Sequence, residues 1–298
     1  MSRIVNLGLV QMSCGEDIAS NFDKALAGVR KAADDGAQVV CLQELFKSRY
    51  FCQVVDKHFL SLAEPVNENS PTVQKLAELA AELEIVIVAS LFEKRAKSLF
   101  HNTAVVIDAD GRYLGKYRKM HIPDDPLYYE KFYFAPGDLG YKTFSTRYAE
   151  IGVLICWDQW FPEAARLTAM QGAEIIFIPT AIGNTPQDIS ISGPEYPKSW
   201  QIVQRGHAVA NACFLAAVNR VGFEENSEGK GGIDFWGQSF ISDPNGVVLA
   251  QAAPDQEEVL VHPVDLDLID AIRDGYSFPF RDRRVDSYGG LSKLYIDD

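Results

Sequence analysis

Three residues at the ends of strand-like apolar runs could do chemistry together: Glu44 after Val39-Val40-Cys41-Leu42-Gln43, Lys119 after Arg112–Tyr117, and Cys156 after Ile151-Gly152-Val153-Leu154-Ile155. In sheets of this kind ligands gather beyond the carboxyl ends of strands. A carboxylate, a cation and a thiol gathered there would supply a base, an electrostatic stabiliser and a nucleophile for attack on a carbonyl carbon. Thr180 and Asn219 end two further runs. Cys156 is followed by Trp157-Asp158-Gln159-Trp160-Phe161-Pro162 and then by a helical segment. A thiol just ahead of a helix N-terminus is expected to feel the positive end of the dipole, which lowers its pKa. A buried, inert cysteine carries the same local signature. Glu44 sits between apolar neighbours in Leu42-Gln43-Glu44-Leu45-Phe46, as a partly desolvated base would, or as a surface glutamate at a loop start would. Arg118-Lys119 also reads as a solvated basic pair, and spacing alone leaves each of these choices open.

Other chemistries find less support. The five histidines (58, 101, 121, 207 and 262) show no H-x-x-x-H or H-x-H spacing and no cluster with cysteine, so no metal site is expected. His121, two residues beyond Lys119, stays open as a base. No G-x-x-x-x-G-K-[ST] or G-x-G-x-x-G run occurs, and Gly229-Lys230-Gly231-Gly232 follows a polar loop rather than a strand. The chemistry is expected to need no cofactor.

The elements that must position these residues alternate between strand and helix. Ile4–Met12 reads as a first strand, Ala19–Asp34 as an amphipathic helix stopping at Gly36, and Gln38–Gln43 as a buried strand. A helix from about Ser70 to Leu83, with Pro71 in its first turn, leads to the strand Ile85–Ser90. Thr103–Ile107 and Arg112–Tyr117 flank Asp108-Ala109-Asp110-Gly111 as a hairpin, so part of the sheet is antiparallel. After a loop rich in Pro, Tyr and Asp come a strand over Glu150–Cys156, a helix over Phe161–Gln171 and a strand over Glu174–Pro179. A helix over Trp200–Asn211, a strand over Cys213–Val218 and two strands around Asp243-Pro244-Asn245-Gly246 complete the pattern. Runs such as Ile175-Ile176-Phe177-Ile178 imply sheets covered on both faces. The fold class is α/β, with no linker or repeat to divide residues 1–298 into more than one domain.

Composition narrows the partners. At 47% hydrophobic and 23% charged, 298 residues can bury a large core and are not expected to be disordered. A formal net charge of −13 disfavours nucleic acid and anionic membrane surfaces, while it would steer a cationic small molecule inward. No apolar run approaches the ~18 residues that span a bilayer. The N-terminal run is short, broken by Asn6 and followed by no cleavage site, so it reads as a strand rather than a signal peptide. The five cysteines (14, 41, 52, 156 and 213) are odd in number and scattered, which points to a reducing cytoplasm.

Taken in order, Leu42-Gln43-Glu44-Leu45-Phe46, Tyr117-Arg118-Lys119-Met120-His121-Ile122-Pro123 and Gly152–Arg166 resemble the three signatures of the nitrilase superfamily of carbon–nitrogen hydrolases. The likeness runs from Leu9-Val10-Gln11-Met12 to Phe280-Arg281-Asp282-Arg283-Arg284. Tyr128–Asp138, Cys156–Arg166, Pro179–Gly183 and Phe280–Arg284 are most similar to its branch acting on N-carbamoylputrescine. The resemblance implies a four-layer α-β-β-α sandwich in dimers or larger homo-oligomers, the segment from about 270 to 298 reaching towards a neighbouring subunit. It implies a catalytic set of Glu44 as base, Lys119 as oxyanion stabiliser, Cys156 as nucleophile and Glu130 as auxiliary carboxylate, with Trp157 offering its backbone N–H. The implied reaction converts a small N-carbamoyl amine to amine, carbon dioxide and ammonia. Related hydrolysis of an N-carbamoyl-β-alanine type compound or an ω-amide is the alternative, and a non-catalytic oligomerising module the distant one. Departures fall in loops that could hold the far end of a substrate. Asp124-Asp125-Pro126 replaces Asp-Gly-Pro, Asn184 stands where the branch has an acidic residue, and Gly193–Trp200 replaces Ser-Arg-Asp-His-Trp. Asp125, Asp188 and Glu195 are the candidates there for a distal ammonium, and Lys198 is the candidate for a distal carboxylate.

Overall fold

The structure is a computed structural model and describes residues 2–185, 190, 195–275 and 280–296. The first half runs through β1 (Ile4–Gln11), α1 (Ile18–Asp34), β2 (Val39–Leu42), α2 (Pro71–Leu83), β3 (Val86–Ala96), β4 (Leu99–Ile107) and β5 (Tyr113–Arg118). The second contains α3 (Glu130–Tyr133), β6 (Thr143–Ser145), β7 (Glu150–Val153), α4 (Pro162–Met170), β8 (Ile175–Pro179), β9 (Gly183–Asn184) and α5 (Tyr196–Asn211). It continues through β10 (Phe214–Val218), β11 (Val221–Glu225), β12 (Gly232–Trp236), β13 (Phe240–Ser242), β14 (Val248–Gln251), β15 (Glu258–Asp265) and α6 (Asp267–Gly275).

Alternation inside the apolar strands decides the layering. Leu7, Leu9, Val39, Cys41, Val86, Val88, Ala104 and Val106 share one apolar core with Val153, Ile176 and Ile178. Their neighbours Val10, Val40, Leu42, Ile87, Ala89, Val105 and Ile107 pack instead with Ala25 and Val29 of α1 and Leu76 and Leu79 of α2. Successive strand residues point to opposite faces, so a continuous apolar run feeds two cores. Six strands in the order β15-β1-β2-β3-β4-β5 face six in the order β14-β13-β10-β8-β7-β6. With α1 and α2 outside the first sheet and α4 and α5 outside the second, the layers read α-β-β-α. A three-stranded sheet, β11-β12-β9, lies beside them.

Strand direction brings the candidate residues to one end. β1, β2 and β3 are parallel, as are β7, β8 and β10. β4 runs antiparallel to both β3 and β5, so β5 points the same way as β2 and ends on the same side. The expected hairpin is the β4–β5 pair. Gly111 in its turn has φ of +82°, and a Cβ there would meet the Ala77 carbonyl oxygen at 2.7 Å, so the position needs glycine. The strand expected over Glu150–Cys156 stops at Val153 instead, because the Asp158 carboxylate accepts the Ile155 N–H and turns the chain away from the ladder. The helix expected from Trp200 begins earlier, at Tyr196, with Pro197 in its first turn, where a missing N–H costs nothing.

Candidate active site

Two residues that follow strands of the first sheet, Glu44 and Lys119, form a buried bridge with Glu130, which opens α3. Glu44 lies just beyond β2, where Leu45, at φ +50°, bends the chain. Its Oε1 accepts hydrogen bonds from Lys119 Nζ at 2.9 Å and Asn102 Nδ2 at 2.6 Å. Its Oε2 is buried and accepts none among the described residues. Lys119, the residue after β5, also donates to Glu130 Oε2 at 2.7 Å, and Glu130 Oε1 accepts from the Tyr50 hydroxyl at 2.6 Å. Glu44, Lys119 and Glu130 are all fully buried. An ammonium between two carboxylates is the pairing that makes burial of such charges tolerable.

The second sheet contributes Cys156. It opens a single 3₁₀ turn, Cys156–Trp160, with its own φ at +43°. A left-handed backbone at a non-glycine residue costs about 1–2 kcal/mol, so the surroundings must hold it. Asp158 does much of that work. Its Oδ2 accepts from Ile155 N at 3.0 Å and the Tyr117 hydroxyl at 2.8 Å. Its Oδ1 accepts from His121 N at 3.0 Å and lies 2.7 Å from His121 Nδ1, the imidazole stacking on Phe161. Since Tyr117 and His121 flank Lys119, one buried carboxylate ties the cysteine turn to the lysine segment.

Burial governs the protonation of these groups. It works against the Lys119 ammonium, but Glu130 and Glu44 prevail and hold its pKa well above the usual lysine value. Burial raises Glu130 to about 7, helped by the Glu44 charge and opposed by Lys119 and Tyr50. The Cys156 thiol is pushed well above its usual value, first by burial and then by Glu44, with Lys119 pulling the other way. This corrects the expectation that a helix dipole lowers it. Cys156 opens its own one-turn element, which separates it from α4, and loss of water outweighs what the few amides of that turn can offer. A thiol so raised is protonated near neutrality, and use of it as a nucleophile would require a base to take its proton.

The structure thus brings Glu44, Lys119 and Glu130 together, and the charges of all three act on Cys156. Trp157 follows the thiol directly and is half-buried, its ring 6.4 Å from that of Trp160. Asp125 is exposed, and no hydrogen bond or ion pair joins its carboxylate to the bridge. Glu195 pairs with Lys198 at 2.9 Å on the surface, so neither of these two loop candidates enters the cluster. Asp188 lies outside the described residues. Sequence reasoning missed Asn102 and Tyr50, whose polar atoms hold the two carboxylates. Asn102 had a usable signal, a buried amide inside the strand Leu99–Ile107.

A buried thiol under the charges of a fixed ammonium and of a carboxylate with one oxygen unpartnered among the described residues is a set suited to cleaving carbonyl–nitrogen bonds. The chain belongs to the carbon-nitrogen hydrolase family, whose sequence profile matches residues 6–274. Among its relatives is the N-carbamoylputrescine amidase of Solanum tuberosum, 47% identical, with 98% of this chain and 96% of that protein covered. The citrullinase of Francisella tularensis is 39% identical over 98% of this chain and 99% of that one. The crystal structure of a carbon-nitrogen hydrolase from Helicobacter pylori G27 superposes with a TM-score of 0.93 at 42% identity, covering 98% of this chain and all of the other.

Proposed function

We propose that this protein hydrolyses the ureido group of N-carbamoylputrescine to putrescine, carbon dioxide and ammonia, with Cys156 as nucleophile. The observation that carries the reaction is the buried Oε2 of Glu44, unpartnered among the described residues, while the other oxygen is held by Lys119 and Asn102. Glu44 takes the thiol proton as sulfur attacks the ureido carbon. Lys119 and the Trp157 backbone N–H stabilise the oxyanion, at a few kcal/mol per donor. The carbon–nitrogen bond then breaks, protonated Glu44 returns its proton to the departing ammonia, and a carbamoyl thioester remains. Glu44 next deprotonates water, which displaces the thiol, and the released carbamate loses carbon dioxide. Glu130 orients Lys119 throughout. The substrate rests on the activity named for the plant relatives and on a net charge of −13, which favours a cationic amine. Asp188 and Asp125 are the loop carboxylates proposed for its far end.

A second reading, another ureido compound, draws on the citrullinase relative. Ammonia release should be measured for wild type and Cys156→Ala with N-carbamoylputrescine, citrulline, N-carbamoyl-β-alanine and a neutral ω-amide. The first should give the highest kcat/KM, and Cys156→Ala should abolish it. A higher value for another substrate would replace the substrate and keep the mechanism. Activity surviving Cys156→Ala would end the mechanism.

We further propose a cytoplasmic homo-oligomer. Leu167 and Met170 on α4 and Ile202 and Val209 on α5 are exposed on the outer helical layer, as are Leu291, Leu294, Tyr295 and Ile296 near the C-terminus. Exposed apolar side chains of this number support an interface, to which the C-terminal segment would contribute. All five cysteines are free and buried, which supports a reducing compartment. Among the described residues, no helix is long and apolar enough to cross a membrane.

A further inference from the structure

We propose that Arg220, paired with Glu224, is a positioning residue that sets the Glu44 carboxylate relative to Cys156. Resting on the reading of Glu44 as the base, it concerns what aims that base. Arg220 lies between β10 and β11, and its guanidinium is fully buried, an expensive placement unless its hydrogen bonds are specific. Its Nη2 donates to the backbone carbonyls of Glu44 at 3.0 Å and Leu45 at 3.1 Å. Its Nη1 donates to the Ser48 carbonyl at 2.8 Å and to Glu224 Oε1 at 2.6 Å. The other oxygen, Glu224 Oε2, accepts from Tyr50 N at 2.6 Å. One ion pair therefore holds the turn from Glu44 to Tyr50, and that turn supplies both the proposed base and the hydroxyl that donates to Glu130.

The location gives this pair its consequence. Glu44 and Lys119 extend from the first sheet, whereas Cys156 extends from the second. The sheets meet mainly through apolar side chains, and apolar contact is non-directional, so it fixes distance better than orientation. Arg220 comes from the second sheet and grips the backbone of Glu44 itself. The preceding residue, Asn219, holds both N and O of Ile182 at 3.0 Å, next to Ala181, whose carbonyl lies 3.9 Å from Cys156 Sγ. The Asn219-Arg220 corner thus sets the backbone on both sides of the proton transfer from Cys156 to Glu44. A lysine keeps the charge but lacks the planar fork that reaches three carbonyls and a carboxylate together.

The test compares wild type, Arg220→Lys and Glu224→Gln, each alone and with Glu44→Gln. It records kcat and KM on N-carbamoylputrescine, the folded fraction and Tm by circular dichroism, and the rate of Cys156 alkylation by iodoacetamide. Below the Tm of every variant, kcat should fall about 10- to 100-fold in Arg220→Lys with KM changed less than about threefold, since misplacing a base by about an ångström costs that much. Alkylation should slow by a similar factor, and adding Arg220→Lys to Glu44→Gln should slow it by less than about twofold, because the lost function is already absent. Where Arg220→Lys does not fold, Glu224→Gln carries the comparison, being nearly isosteric. A kcat per folded molecule within about twofold of wild type, a change in KM alone, or equal slowing with and without Glu44 would overturn the proposal. Full activity of Glu44→Gln alone would instead remove the base reading on which it rests.

Discussion

Replacing Glu130 by glutamine should remove a pH-dependent cost of folding that the wild-type protein carries. Glu130 is buried between Lys119 and Tyr50, and its pKa rises from 4.5 to about 7. Below pH 4.5 the carboxyl is protonated in folded and unfolded chains alike, so it adds no pH dependence. Between 4.5 and about 7 the folded protein keeps the proton while the unfolded chain releases it, so stability falls as pH rises. Each pKa unit is worth about 1.4 kcal/mol, which makes the full loss about 3 kcal/mol above pH 7. Glutamine resembles the protonated form at every pH. Glu130→Gln should therefore match wild type near pH 4.5 to within the cost of repacking, then exceed it by up to about 3 kcal/mol at pH 8. Urea unfolding of both proteins between pH 4.5 and 8, at one protein concentration, measures this. Groups that do not feel Glu130 cancel in the difference between the two curves, which leaves Lys119 and Tyr50, its hydrogen-bond donors, and Glu44, Cys52 and Cys156, which sense its charge. A difference that stays flat across that range, or that shrinks as pH rises, would refute the assignment of a raised pKa to this carboxyl.

Because burial raises the Cys156 thiol, wild-type alkylation by iodoacetamide at pH 7 should be slower than that of an exposed cysteine, whose pKa is near 8.5, and should speed up with pH; rapid, pH-independent labelling from pH 6 would reveal a resting thiolate instead. The left-handed backbone at Cys156 makes Cys156→Gly at least as stable as Cys156→Ala, by about 1 kcal/mol in urea unfolding, although glycine is ordinarily the costlier residue. A more stable alanine variant would show that the turn carries no strain. Deleting residues 284–298, which include exposed Leu291, Leu294, Tyr295 and Ile296, should shift the protein to a smaller species in sedimentation velocity; an unchanged sedimentation coefficient would exclude that segment from the interface.

Residues that end regular elements were legible in the sequence, because a polar side chain after an apolar run breaks a pattern set by burial. Glu44, Lys119 and Cys156 stand out on that ground, and the order of their motifs supplied the family. What escaped are features that depend on pairings distant in the chain. β15 pairs along its whole length with β1, more than two hundred residues away, yet its run contains His262 and Pro263 and is only half-buried, so no clean alternation marks it. β3 extends through the charged stretch Glu93-Lys94-Arg95 and turns back into β4, which an apolar criterion cannot see. Tyr50 and Arg220 look ordinary in their own neighbourhoods. Only folding reveals that Tyr50 donates to Glu130 and that Arg220 reaches the Glu44 backbone. The misjudged thiol has the same origin. A helix end is visible locally, while the burial that outweighs it comes from the whole fold.

That burial also accounts for the arrangement of charge. A preformed thiolate beside Glu44 would place another negative charge in a site from which water is excluded, where each unpaired ion costs several kcal/mol. A neutral thiol avoids this, provided a base stands ready and the charge it surrenders stays close to a cation. In the proposed reaction, Glu44 accepts the proton and its negative charge passes to sulfur, then to the carbonyl oxygen of the tetrahedral intermediate. Lys119 faces Glu44 at the start and the oxyanion later, so the charge moves within reach of one ammonium and no new buried charge is created. Glu130 keeps that ammonium in place from its other side, and its pKa of about 7 lets it hold a proton for part of the time near neutrality. If the site works this way, methionine at 119 leaves Glu44 and Glu130 sharing a proton with no cation between them. Lys119→Met should then lose kcat by at least about a thousandfold while binding substrate with little change, since removal of one oxyanion donor alone costs 10²–10³. Single-turnover measurements of thioester formation would check it. A variant that forms the thioester at the wild-type rate would show that the oxyanion is stabilised elsewhere.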